Sequence, residues 1–337
     1  MKKAVLKKIW AFICAGCLAV SGMCFSACQE KIPEGEISIY MPDGAPSLAF
    51  AKLLKEDLEE DGVTYRVVKN DLIASKVTNK DEEKNADLCV MPLTAAAKIL
   101  GSGERYVMLG AVTHGNLFVI SEERTPLTAA SISLLQGKMV GVLQIDNLPG
   151  LVFKSVLTQY GLTWTTDGEN EENAVMLEGI LSPNEIVKGS RFDYYVLAEP
   201  AVSMQVKKNG FSIVGDLQTL YGGEEGYPQA VLVAKKELAQ AKAEWINEFV
   251  QEVAESAEFV PQMTGEEIVA AVTAHLDDPA SATTLNAGTL SYEVLTRCGV
   301  RYVAAKNCGE AANALLEKFL KIQPMVTAVP AEGFYWK

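Results

Sequence analysis

Two histidines, His114 and His275, lie far apart in a chain of 337 residues, and neither sits in an HExxH or CxxC pattern that would gather metal ligands. No serine or cysteine occupies a nucleophile elbow, so hydrolytic chemistry has no support. Of the seven cysteines, Cys14, Cys17, Cys24 and Cys28 crowd the N-terminus, leaving Cys89, Cys298 and Cys308 at irregular spacing, which is no disulfide framework. Cys298 and Cys308 could pair in an exported protein, but two buried thiols are the simpler expectation. What remains is a set of acids, amides and hydroxyls at turns. Asp43 lies in Met41-Pro42-Asp43-Gly44-Ala45-Pro46, Thr94 follows Pro92, His114 precedes Gly115, Asn147 lies in the Gln144 to Gly150 loop, and Glu199 precedes Pro200. Such groups hold small molecules by hydrogen bonds and charge. Neither a catalytic residue, a cofactor nor a metal is expected. Each also has a structural alternative: Asp43 can cap its own turn, Glu199 can pair with a basic residue across the fold, and His114 can be satisfied in the core. Tyr40, Phe118, Phe153 and Tyr227 could stack on a ring, though aromatics beside strands are core by default.

The elements that must position these residues alternate. Ile37 to Met41 is a strand, and the helix after it puts Ala51, Leu54 and Leu58 on one face, with Pro46 suited to its first turn. Val63 to Val68, Leu88 to Met91, Tyr106 to Val112 and Leu117 to Ile120 are further strands, interleaved with helices at Leu72 to Thr78 and Thr94 to Leu100. The pattern then repeats: strand Met139 to Leu143, helix Leu151 to Tyr160, strand Asp193 to Leu197, helix Ala201 to Lys208. Ala230 to Ala234 is a lone apolar run before a long amphipathic helix, Lys236 to Phe259, and the remainder to about Ile322 is helical with one strand near Val300 to Val303. This order predicts an α/β protein of two lobes, each a mixed sheet covered by helices. Residues 37–119 and 232–337 make the first lobe and 120–231 the second. Ligands of such sheets bind beyond the carboxyl ends of the strands, where helices start.

Lys2, Lys3, Lys7 and Lys8 precede an apolar run from Ile9 to Ala27, the layout of an export signal. Phe25-Ser26-Ala27-Cys28 resembles the lipobox of bacterial lipoproteins, with Phe25 departing from the usual aliphatic residue. The resemblance implies that residues 1–28 end in a lipidated (palmitate-bearing) Cys28 and that residues 29–36 tether the fold to the membrane. Cys14-Ala15-Gly16-Cys17 would leave a very short apolar core, and an uncleaved membrane anchor is the other alternative, since about 20 apolar residues span a bilayer. Loss of the four lysines takes the formal charge from -13 to -17. So acidic a chain lacks the clustered cations that phosphate contacts require, which excludes nucleic acid as an expected partner.

Met41-Pro42-Asp43-Gly44-Ala45-Pro46, Ala86-Asp87-Leu88 with Pro92, Gly137-Lys138 to Gly141, Ala198-Glu199-Pro200, Tyr227-Pro228-Gln229 and the closing Pro330 to Tyr335 together resemble the solute-binding proteins of ABC importers. More narrowly they are similar to the branch of nitrate, sulfonate, taurine and thiamine-pyrimidine-precursor binders. The resemblance implies a type II periplasmic-binding-protein fold with a two-strand hinge near Phe118 to Ser121 and Val231 to Ala234. It implies a monomer anchored outside the cell membrane, a small-molecule ligand, and ABC permease subunits as partners. The ligand residues it implies are Asp43, Gly44, Ala45, Pro46, Thr94, His114, Gly115, Asn147 and Glu199. The loops concerned contain no Lys or Arg, and their acids would suit a heterocycle or amine better than a simple anion. A ligand-sensing lipoprotein is the alternative. Thiamine-pyrimidine and menaquinone-precursor enzymes share the fold, but the cysteine-rich stretch of the pyrimidine synthases is missing here.

Overall fold

The computed structural model describes residues 36–56, 62–166, 173–222 and 226–337. The expected signal segment, Cys28 and nearly all of the tether lie outside the described residues. The described residues belong to one compact unit.

The centre of the first sheet grows from three strands whose apolar runs are buried on both faces. In chain order the elements are β1 (Ile37–Pro42), α1 (Ala45–Leu48), α2 (Ala51–Glu56), β2 (Val63–Val68), β3 (Leu88–Pro92), α3 (Leu93–Leu100) and β4 (Tyr106–His114). The chain then crosses to build the second sheet: β5 (Leu117–Ser121), β6 (Met139–Leu143), α4 (Leu148–Gln159), β7 (Trp164–Thr165), β8 (Val175–Ile180), β9 (Tyr194–Ala198), α5 (Ala201–Asn209), β10 (Ser212–Asp216) and α6 (Leu217–Tyr221). It returns through β11 (Pro228–Lys235), α7 (Lys236–Ala241), α8 (Ala243–Phe259), α9 (Gly265–Ala274), α10 (Tyr292–Arg297), β12 (Val300–Ala304) and α11 (Ala305–Ile322).

The sheets are ordered β12-β4-β11-β3-β1-β2 and β10-β5-β9-β6-β8-β7. In the first, β1 lies parallel to β2 and β3, and β11 runs antiparallel between β3 and β4. In the second, β6 lies parallel to β8 and β9, with β5 antiparallel to β9. The two halves therefore share one plan, and in each the antiparallel strand beside the parallel set, β11 next to β3 and β5 next to β9, follows a crossing of the chain. This is the two-lobed architecture with two crossings expected from the alternation of elements.

Strand pairing moves the crossings relative to the expected hinge. Leu117 to Ser121 pairs along its length with β9, and Pro228 to Lys235 with β4 and β3. The chain leaves the first sheet at Gly115-Asn116 and returns between Tyr221 and Pro228, a few residues before Phe118 and Val231 in each case.

Three apolar clusters hold the layers. One packs the outer face of the first sheet (Ile39, Leu109, Leu232) beneath α8 and α9 (Phe249, Val253, Ile268). A second packs the outer face of the other sheet (Phe118, Tyr195, Leu197) beneath α5 (Val202). The third takes in Met91, Met108 and Val231 of the first sheet, Leu315, Leu316 and Phe319 of α11, Leu151 and Val156 of α4, and Val140 and Val196 of the second sheet. A single core thus runs from one sheet to the other through α11.

Several elements differ from expectation. The helix after β1 breaks at Ala49-Phe50, where all of Ser47 to Ala51 is buried and the turn serves packing. The segment expected as a helix at Leu72 to Thr78 is a 3-10 helix, Asn70–Lys76. The long helix is two, separated at Lys242, whose backbone leaves helical values with φ -127° and ψ 39°.

Candidate ligand cleft between the two sheets

Asp43 follows β1 directly, ahead of Gly44, whose φ of 104° suits a residue without a Cβ. Its backbone N–H donates to the Val68 carbonyl at 2.9 Å. Its carboxylate accepts from Thr283 Oγ1 at 2.7 Å and from the Thr284 N–H at 2.6 Å. Both oxygens are thus taken by a loop far along the chain, and the side chain is buried. A cavity of about 60 Å³ lies beside it, lined by Val67, Val68, Leu72, Leu276, Ser281 and others, all from the first lobe. That is room for one or two waters rather than a solute.

Thr94 lies in the first turn of α3, is buried, and its carbonyl accepts from Thr327 Oγ1 at 3.0 Å. Sheet register sets its relation to His114. Ala230 of β11 pairs with Pro92 on one side and Thr113 on the other, and Pro228 pairs with His114. The α3 start and His114 thus occupy the same edge of the sheet, about two strand spacings (~10 Å) apart.

His114 is held through its backbone, which donates to the Gly299 carbonyl at 2.8 Å. A Cβ on Gly299 would lie 1.9 Å from the His114 oxygen, and its φ is +63°, so glycine is required there on two counts. The His114 side chain is buried, and neither ring nitrogen has a hydrogen-bonding partner. Burial, helped by the nearby Arg301 charge, pulls its pKa down to about 3, so the imidazole is neutral. Gly115 follows, its N–H donating to the Tyr227 carbonyl at 3.0 Å. The buried Tyr227 hydroxyl is also without a partner, and its ring stands edge-on to Tyr221 at 5.3 Å between centroids. Burial above all pushes this phenol well above its ordinary range.

The two crossings are tied by a pair of amides. Gln229 Nε2 donates to Asn116 Oδ1 at 2.7 Å, and the Asn116 N–H donates to Gln229 Oε1 at 3.3 Å. Asn116 Nδ2 reaches the Glu199 carbonyl at 3.4 Å, while the Glu199 N–H donates to the Asn116 carbonyl at 2.9 Å.

In the second lobe Asn147 precedes α4. It is exposed, and its side chain makes no capping hydrogen bond. Glu199 follows β9 directly and has no side-chain exposure. One oxygen accepts from Ser203 Oγ at 2.7 Å and from Arg297 Nε at 2.8 Å; the other accepts from the Ser203 N–H at 3.0 Å. Arg297 Nη2 also donates to Ser203 Oγ at 2.9 Å. Arg297 belongs to α10, so this ion pair spans the lobes, as does Lys207 Nζ donating to the Gly288 carbonyl at 2.6 Å. On the α11 side the lobes meet through Lys154, which is buried and reaches Gln323 Oε1 at 3.4 Å and Asp146 at 3.9 Å, and through Lys318 lying over the Tyr221 ring at 4.2 Å.

The structure therefore brings Thr94, His114, Gly115 and Glu199 to the facing strand ends, with Asp43 to Pro46 at the end of β1 and Asn147 at the start of α4. Arg297, Ser203, Asn116 and Gln229 were not singled out from sequence as site residues. Two of them carried a signal, Gln229 in Tyr227-Pro228-Gln229 and Asn116 in the expected cleft loop Thr113 to Asn116. Phe118 and Phe153 are core side chains, and Tyr40 lies under Lys76. Cys89, Cys298 and Cys308 are free and buried, with burial raising the Cys308 thiol to about 11. Among the described residues no cluster of three or more His, Cys, Asp or Glu is placed to hold a metal, and no helix is long and apolar enough to cross a membrane.

Neither a protein-family model nor a curated protein matches the chain. Solved structures do. An ABC transporter protein from Parabacteroides distasonis matches with a TM-score of 0.68 at 20% identity, covering 90% of this chain and 99% of its own. The periplasmic aliphatic sulphonate binding protein SsuA from Escherichia coli matches with a TM-score of 0.60 at 14% identity, covering 90% and 92%. The ligand binding component of an ABC-type import system from Staphylococcus aureus, solved with zinc bound, matches with a TM-score of 0.56 at 15% identity, covering 90% and 97%. Across nearly its whole length the chain has the type II periplasmic-binding-protein fold.

Proposed function

We propose that this protein is the extracytoplasmic solute-binding component of an ABC importer, capturing a small molecule between its lobes and delivering it to a permease. The neighbours support this by their descriptions, which are of binding and transport components rather than enzymes. Export and lipid attachment at Cys28 complete the reading, with residues 29–36 as tether and with the expected lobes, 37–119 plus 232–337 and 120–231, redrawn at the crossings so that residues 117–121 join the second lobe and residues 228–231 the first. The observation that carries it is His114. Among the described residues its two ring nitrogens and the Tyr227 hydroxyl are the buried side-chain atoms without a partner, and His114 ends a strand where the chain crosses between lobes. Buried polar atoms are nearly always paired, and exceptions concentrate at functional sites.

In this reading the solute meets His114, Gly115, Thr94 and Asn147 and the Gly44-Ala45-Pro46 turn. Asp43 and Glu199 shape the cleft through the partners they already hold. A neutral imidazole offers one donor and one acceptor, which suits an uncharged heterocycle or amide better than an amine or a simple anion. Contacts to both lobes would favour the closed form, which the permease would recognise.

A thermal-shift screen on the chain lacking residues 1–28 tests this, using alkanesulfonates, polyamines, pyrimidines and neutral amides, with calorimetry on any hit. Saturable stabilisation by an uncharged heterocycle, weakened at least tenfold by His114→Phe, supports the assignment. Binding left unchanged by that substitution refutes the site. Failure of the loaded protein to stimulate ATP hydrolysis by its reconstituted permease refutes the transport role.

A further inference from the structure

Glu199 is the most fully used polar group at the junction. Its carboxylate sits at the start of α5, a nine-residue helix whose third residue, Ser203, gives it both its backbone N–H and its hydroxyl. Helix starts of this kind attract anions through free N–H groups and the helix dipole. From the opposite lobe Arg297 adds a guanidinium donating to the same oxygen. A helix start in one lobe and a cation in the other, aimed at one point, are the parts from which a cleft for an anionic solute would be assembled. Here the chain's own carboxylate already holds that point.

We propose that Glu199 is a specificity determinant: a built-in anion that fills the seat between the α5 start and Arg297, bars anionic head groups from it, and leaves the cleft to uncharged solutes. This rests on the solute-binding reading and deepens it. A second anion beside Glu199 would face like-charge repulsion in a buried setting, with Arg297 and the Ser203 donors already engaged. Removing the carboxylate would instead free three donors, the Arg297 Nε–H and the Ser203 N–H and O–H. Emptying the seat should therefore create anion binding.

The experiment compares wild type, Glu199→Ala and Glu199→Ala/Arg297→Ala with acetate, whose carboxylate and methyl replace what the substitution removes, and with methanesulfonate. Sodium chloride at equal ionic strength is the control, and thermal shift and calorimetry are the readouts. The expected result is no saturable binding of either anion to wild type, saturable binding to Glu199→Ala, and its loss in the double variant. Glu199→Ser, which keeps a hydroxyl beside Ser203, serves if the alanine variant does not fold, and a variant that folds only in acetate supports the proposal. It is overturned if wild type binds methanesulfonate saturably, or if the folded variants gain nothing. Wild type that binds an uncharged solute while the variants gain no anion defeats the role of Glu199 and leaves solute capture standing. Wild type that binds no solute at all defeats solute capture instead.

Discussion

Arg297→Met is predicted to destabilise the protein by an amount the geometry sets. The substitution removes a charged donor from a carboxylate with no exposed side-chain surface and deletes two hydrogen bonds, at 2.8 and 2.9 Å. Breaking a buried ion pair by deleting one partner costs about 3–5 kcal/mol, because the other charge stays desolvated. Two observations reduce this: Arg297 is 35% exposed, and Glu199 keeps the Ser203 N–H and hydroxyl. A loss of about 2–3 kcal/mol follows, between the buried and exposed limits. For a chain of this length that is a fall in Tm of roughly 3–5 °C. Urea unfolding at pH 7 measures the free energy directly. Repeating it in about 1 M salt should preserve the difference, since buried pairs are screened far less than exposed ones. Adding Glu199→Gln removes the stranded charge and should recover part of the loss, giving a coupling of about 1 kcal/mol or more in a double-mutant cycle. A variant melting within about 1 °C of wild type, or a difference that vanishes in salt, would refute the view that this pair fastens the lobes.

Three further outcomes are predicted. His114, held neutral by burial with a pKa near 3, takes up a proton on unfolding at any pH between that value and its unfolded value of about 6.5. Wild type should therefore lose up to ~1.4 kcal/mol per pH unit as acidity rises through that window, and in urea melts from pH 7 to 4 His114→Phe should show a flatter profile; parallel profiles would count against the assignment. Lys154 has its pKa lowered by burial, so below 10.5 its unfolded state binds the proton more readily. Lys154→Met should match or exceed wild type at pH 7, by about 1 kcal/mol at most, and wild type should close that gap as pH rises toward 10.5; a large loss in the Met variant would show Lys154 to be a necessary contact. Gly299→Ala places a Cβ against the His114 carbonyl at a positive φ and should cost about 3 kcal/mol or more in equilibrium unfolding; near-neutrality would mean that the β4 end can shift.

Strands built on apolar runs with two-sided burial were legible from sequence, because such burial leaves little other composition open to them: β3, β4, β6, β9 and β11 all read this way, while β1 showed through its alternation, with Ser38 and Tyr40 half-buried. β8 was missed because Glu178 and Gly179 interrupt it, and β10 because it begins at Ser212 and carries Gly215, which packs against Val119. The break at Lys242 has no glycine or proline to announce it. At the junction, sequence placed Asp43 and Glu199 at strand ends but not their partners. Thr283, Thr284 and Arg297 lie in a stretch read only as helical tail, and folding alone brings them back to the first and second lobes. The protonation state of His114 was equally hidden, since it depends on burial that no local pattern encodes.

The helix that closes the chain, α11, gives the two halves a common interior, with Leu315, Leu316 and Phe319 belonging to the same cluster as side chains of both sheets. Neither half can lose its packing without exposing apolar surface of the other, so calorimetry should record one endotherm whose van't Hoff and calorimetric enthalpies agree, rather than two. Whatever binds between the lobes then stabilises the whole molecule by mass action. Occupancy of a single small site would be reported by the melting of every element in the chain.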